Sequence, residues 1–124
     1  MKIIAIIART LLGVAFVFFG LNIFFQFMKP PPQPPGLAAD FGKALMESHY
    51  MYVVGALQLI GGLLLLIGRF VPLGLLLLGP VIVNILLFHI FLDPKGLPPG
   101  IIVSVLALIV LWQHRASFAP LLKA

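Results

Sequence analysis

Residues 55–79 read GALQLIGGLLLLIGRFVPLGLLLLG. Two apolar runs are joined by a four-residue break, Arg69-Phe70-Val71-Pro72, and Arg69 is the one charge in the stretch. A helix on the surface of a soluble core keeps a polar face. These runs have none, and they are too long and too uniform for a soluble interior. They read as the inner hairpin of a helical membrane protein, with Pro72 suited to the first turn of the second helix.

Working outward from that hairpin, residues 49–68 and 71–92 are the second and third spans, and Gly79-Pro80 predicts a bend in the third. Residues 3–28 form a first span and residues 98–114 a shorter fourth. A bilayer-crossing helix needs about 20 apolar residues, so 124 residues hold about four and leave little for a soluble catalytic domain. The segments KPPPQPPG (29–36) and DPKGLPPG (93–100) are breakers. Proline removes backbone donors, and the first is expected to be polyproline-like and wet. In residues 37–48, Leu37, Phe41, Ala44 and Leu45 recur at helical spacing against Asp40, Lys43 and Glu47. This predicts a short amphipathic helix at the interface. The expectation is all-α: one integral membrane domain over 1–124, a four-helix bundle with an amphipathic helix in its first outer loop. The first apolar run is far longer than a signal-peptide core of roughly 7–15 residues, so it is expected to remain in the mature protein.

Composition agrees: 62% of residues are hydrophobic and 9% charged, against about half and about a quarter in soluble domains. A net charge of +5 invites a nucleic-acid reading. The eight Lys and Arg sit singly at the ends of apolar runs, where they act as topology signals instead. With the N-terminus cytoplasmic, the inside holds Lys2, Arg9, Arg69, Arg115 and Lys123, and the outside holds Lys29, Lys43 and Lys95. The positive-inside rule then puts both termini in the cytoplasm of a multi-pass protein of the cell membrane. Trp112 at one end and Tyr50 and Tyr52 at the other fit aromatic belts. The chain has no cysteine, which excludes a disulfide, a thiol nucleophile and a thiolate metal site.

This topology puts most intramembrane polar groups between the midplane and the outer surface. Asn22 and Gln26, four apart, are expected to share a face of the first span. Gln58 lies near the middle of the second, and Asn84 and His89 lie in the outer half of the third. Polar groups in lipid tend to face a bundle interior or a wet cavity. The five are therefore candidate ligand-binding residues around an outward-opening pocket, with the 37–48 helix as its lid. Hydrogen bonding between helices is the rival role, at about 0.6–2 kcal/mol each. Gly55, Gln58 and Gly62 fall on one stripe, and Gly61 and Gly68 on the next. Gly13 and Gly20 lie on the stripe of Arg9 in the first span. Glycines so spaced let helices approach closely, so Gly13, Gly20, Gly55 and Gly62 are candidate packing residues. Arg9 and Arg69 form an inner pair suited to capping neighbouring helix ends or holding a phosphate. No two histidines stand four apart, so no metal site is expected. No catalytic triad, carboxylate pair, P-loop or dinucleotide fingerprint occurs.

Residues 8–24, ARTLLGVAFVFFGLNIF, and 55–78, GALQLIGGLLLLIGRFVPLGLLLL, resemble the DoxX family of small bacterial and archaeal membrane proteins. The shared features are an Arg before Leu-Leu-Gly, a Gly-Leu-Asn near the end of the first helix, the Gly-Gly-Leu-rich core and the Arg in the tight turn. The resemblance implies a four-helix bundle with a lid-like first outer loop. It also implies a link to redox chemistry, since some relatives are membrane subunits of quinone-linked sulfur oxidation and others belong to redox-stress complexes. A basic residue often follows Gly-Leu-Asn in such proteins; here that place is Ile23. The functional expectation is an accessory membrane subunit, not a self-sufficient enzyme. It would bind a lipid-soluble redox ligand such as a quinone, or hold a redox protein partner, among membrane lipids and with homo-oligomers open. The alternatives are a purely structural or assembly protein with no ligand and, third, a small transporter.

Overall fold

The computed structural model describes residues 2–28 and 33–124. Residues 29–32, half of the proline-rich breaker, lie outside the described residues. The elements are α1 (Lys2–Phe25), α2 (Leu37–Glu47), α3 (Tyr50–Ile67), α4 (Val71–Phe91), α5 (Leu97–Gln113) and the short α6 (Arg115–Phe118). A 3-10 turn, Pro94–Gly96, runs directly into α5. Four helices are long and apolar enough to cross a membrane: α1, α3, α4 and α5 with its leading turn. No strand occurs among the described residues.

Two boundaries teach something. The sequence predicts a first span reaching residue 28, yet α1 stops at Phe25. The Asn22 Oδ1 accepts the Met28 amide at 2.8 Å, and Gln26 takes a left-handed φ of 50°. An Asn side chain that bonds nearby backbone competes with the helix for those groups. The α3–α4 break is as short as its sequence implies. Gly68 ends α3 at φ 73°, its amide donating to the Leu64 and Leu65 carbonyls. Glycine adopts this conformation without a Cβ penalty. It therefore closes a helix and does not line a seam with Gly61.

The transmembrane helices form a ring in which α1 packs on α3 and α5, and α4 packs on the same two. The closest seam joins α1 to α3. A Cβ on Gly13 would lie 3.0 Å from the Gly62 carbonyl oxygen, and one on Gly20 would lie 3.0 Å from that of Gly55. Both pairs are seven residues apart, about two helical turns, and their crossed matching makes the helices antiparallel. A second such contact joins α3 to α4, where Gly61 and Gly74 each approach the other's carbonyl oxygen. Without side chains at these points the backbones close to contact distance, which is how helices associate in lipid. Leu12, Phe16, Leu65, Leu78 and Val110 fill the fully buried core between them. Outward, α1 shows Ile3, Ile7 and Leu11, α4 shows Leu73 and Leu76, and α5 shows Ile102, Val105 and Leu108. An apolar exterior of this extent fits lipid, not water.

One end of the ring carries the start of α1, the α3–α4 turn and the end of α5. The opposite end carries α2, which packs on α3 and sets Phe41 against Phe88 of α4 with ring centroids 5.7 Å apart.

Candidate functional site

The five polar residues expected around one outer pocket have five separate surroundings. Asn22 is half-buried and spends its side chain closing α1, as above. Gln26 has left the helix and is exposed, so it shares no helical face with Asn22. Asn84 is exposed on α4, where its Nδ2 donates to the Pro80 carbonyl of its own helix at 2.8 Å. His89 is half-buried with Nδ1 3.2 Å from the Asp93 carbonyl oxygen. Its ring lies against Gly96, at a place where any Cβ would collide with it, and meets Phe88 edge-on at 5.2 Å. His89 thus fastens the turn between α4 and α5. The structure does not gather these four around one pocket: two of them lie on the surface, and two close turns.

Gln58 is the exception. It is 5% exposed, the one buried polar side chain among the described residues. At 100° per residue it falls between the stripe of Gly55 and Gly62, which meets α1, and that of Gly61, which meets α4. It therefore points to the bundle axis, on the same stripe as fully buried Leu65. Its Oε1 has no hydrogen-bond partner. Buried polar atoms are nearly always paired, so this amide is the group in the core with unused capacity to bind something.

The two cations expected on the inner side have different surroundings. Arg9 is half-buried, and its Nη1 donates to the Leu65 carbonyl at 2.6 Å while the guanidinium lies against Gly68. It caps the C-terminal end of α3, where carbonyls lack intrahelical partners and the helix dipole favours a cation. Arg69 is exposed in the turn. Arg9 also borders a cavity of about 130 Å³ between the ends of α1 and α5, walled by Lys2, Ala5, Val110, Gln113 and His114. Lys2, Gln113 and His114 are not among the candidate site residues of the sequence. The legible signal was the spacing 2, 5, 6, 9, which puts Lys2 and Arg9 on one face of α1.

At the α2 end, rings form a ladder. His49, at φ 64°, stacks on Tyr52 at 5.6 Å, and Tyr52 stacks on Phe24 at 5.5 Å, tying the start of α3 to the end of α1. The site chemistry is that of hydrogen bonding, capping and apolar contact.

The DoxX family model matches residues 4–90, from the first turn of α1 to the last of α4, and so includes both glycine contacts. No curated protein and no solved structure matches.

Proposed function

The chain belongs to the DoxX family, and from that premise we propose that it serves as an accessory membrane subunit, holding a redox protein partner against the outer face of α4. The observation that carries this is Asn84. It lies well inside a membrane-spanning helix, yet it faces out of the bundle. Its Nδ2 is used by Pro80, which leaves the Oδ1 acceptor on the exposed face. Intramembrane polar groups almost always face protein or water, so an outward amide argues that another protein covers this face. The redox character of the partner rests on the family resemblance.

The test is a photo-crosslinking residue at position 84, activated in the native membrane. Capture of a protein that carries a flavin, haem or iron–sulfur chromophore, together with its loss from a conventional purification of Asn84→Leu, supports the reading. Capture of lipid alone, or only of a second copy of this chain, overturns it and moves weight to the structural alternative.

The quinone reading keeps one support, the unpartnered Oε1 of Gln58. A quinone offers acceptors only, so Gln58 would have to turn its amide NH₂ to the ligand. Small-molecule mass spectrometry of gently purified protein, compared with Gln58→Leu, tests it: a quinone lost in the variant supports the pocket, and bulk lipid in both removes it.

The proposed orientation has both termini cytoplasmic, on the Lys and Arg imbalance. The absence of cysteine makes it simple to test. Gly42→Cys, where added side-chain atoms meet open space, should react with an impermeant maleimide from outside intact cells. Ala124→Cys should react only after lysis.

A further inference from the structure

We infer that the cavity between the ends of α1 and α5 binds the phosphate headgroup of an acidic phospholipid. This site is at the opposite end of the bundle from α2 and independent of the partner reading above.

The cavity has two unlike walls. From α1 come Lys2, Ala5 and Arg9, which share one face over two turns, about 10 Å of helix. From the last turn of α5 come Val110, Gln113 and His114. Ala5 and Val110 are buried and form an apolar floor. Above it stand two cations, an amide and an imidazole, all able to donate hydrogen bonds to oxygen.

Charge decides the sign of the occupant. No carboxylate side chain lines the cavity. Asp40 and Glu47 belong to α2, and Asp93 lies in the turn after α4, so all three acids are at the other end. The one ion pair among the described residues, Lys43 with Glu47, is also there. Arg9 bonds a neutral carbonyl through Nη1, which caps α3 and leaves the guanidinium charge without a counter-ion. A half-buried cation of this kind attracts an anion strongly, and a guanidinium fork matches phosphate oxygens.

Position decides the class. Lys2 opens α1 and His114 follows the end of α5, so the cavity sits where two spans leave the hydrocarbon. Its apolar rim is Ile6, which lines the cavity and is exposed to the lipid side. A headgroup phosphate meets the cations at this level while its glycerol and acyl parts follow the apolar rim; a soluble anion has no use for that rim. The volume of about 130 Å³ is close to the ~150 Å³ that admits a benzene-sized group. Basic pockets between membrane helices are known to take headgroups.

The experiment uses the full chain in a neutral detergent, with phosphatidylglycerol, phosphatidylcholine and inorganic phosphate as probes. Binding is read by native mass spectrometry and by the shift in Tm. Phosphatidylglycerol should stay bound and raise Tm, while the other two should do neither. Lys2→Gln should weaken retention about fivefold, as expected for one cation near a membrane surface, and Lys2→Gln with His114→Gln should abolish the Tm shift. Neither side chain is buried, so the lipid-free Tm should match that of the unaltered chain, which separates binding from folding. Equal effects of phosphatidylcholine, or a Tm shift unchanged in the double variant, overturn the site. Inorganic phosphate acting as well as phosphatidylglycerol overturns the lipid assignment.

Discussion

Helices α3 and α5 are both uncharged, and each, α5 together with its leading turn, is long and apolar enough to cross a membrane. Yet α3 buries Gly55, Gln58, Gly61, Gly62 and Leu65, while α5 buries only Gly100 and Val110. Apolarity therefore does not decide which helix is central. Lipid tails are as apolar as leucine, so burial against protein gains little over burial against lipid. What separates the two is where backbone can approach backbone. Helix α3 offers glycines on two sides, one facing α1 and one facing α4. Helix α5 offers Gly100, where a Cβ would stand 3.4 Å from Ile85, an ordinary contact.

The sharpest way to break this comparison is to fill the seam. In Gly62→Leu the Cβ alone would lie 2.8 Å from the Val17 amide nitrogen and 3.1 Å from the Gly13 carbonyl oxygen. Backbone atoms cannot rotate away as a side chain can. A destabilisation of about 3 kcal/mol or more is expected, seen as a large fall in Tm in mild detergent or loss of the monodisperse protein. Gly42→Ala is the control. Its Cβ meets nothing within 4 Å and it lies in helix α2, so it should stabilise by about 0.5–1 kcal/mol. Equal effects at the two sites would show that the seam is not packed as described.

Arg9→Met tests the end of the same seam. It keeps an unbranched, though shorter, side-chain stem but removes the charge-assisted bond to the Leu65 carbonyl. Bonds of this type contribute about 1.5–3 kcal/mol, so a loss of about 2 kcal/mol is expected in thermal unfolding. A loss under about 0.5 kcal/mol would mean that water or headgroups cap α3 equally well.

Gln58→Leu should act in the opposite direction. The variant fills a similar volume, removes an unpaired Oε1 from the core, and should stabilise by about 1 kcal/mol. Destabilisation would show that something pairs with the amide in the membrane, which would sharpen the case for a bound ligand.

The sequence and the structure agree where a single property decides. Run length and proline position locate the four spans. The seven-residue spacing of Gly13 and Gly20, and of Gly55 and Gly62, already contains the stripes that meet. Where the outcome depends on competition between bonds, the sequence is silent. Asn22 and Gln26 look like neighbours on a helix until the Asn22 side chain takes the Met28 amide and ends that helix. Asn84 looks like a pocket residue, but Pro80 four residues back supplies a nearby carbonyl, and Asn84 bonds to it from the exposed face. A pocket requires five side chains on three helices to be aimed at one point, and helical periodicity fixes each direction only relative to its own axis. The cavity at the far end is not legible in the sequence for the same reason. Lys2 and Arg9 are legible as a pair, but only packing brings Gln113 and His114 across from α5.

The smallest expected effect falls on α5, and it separates loose packing from concealed packing. Leu108 is 62% exposed. A buried Leu→Ala change costs about 2–5 kcal/mol, whereas a surface change stays within about 0.5 kcal/mol. For Leu108→Ala in detergent the expected value is the second. The same measurement made after reconstitution into native membrane extract distinguishes what lies on that face. An unchanged small effect means that α5 meets only lipid and that its role is to close the ring behind α1 and α4. A cost rising toward 2 kcal/mol means that another protein packs there. The contrast between α3 and α5 would then be one between an interface made within the chain and one made outside it.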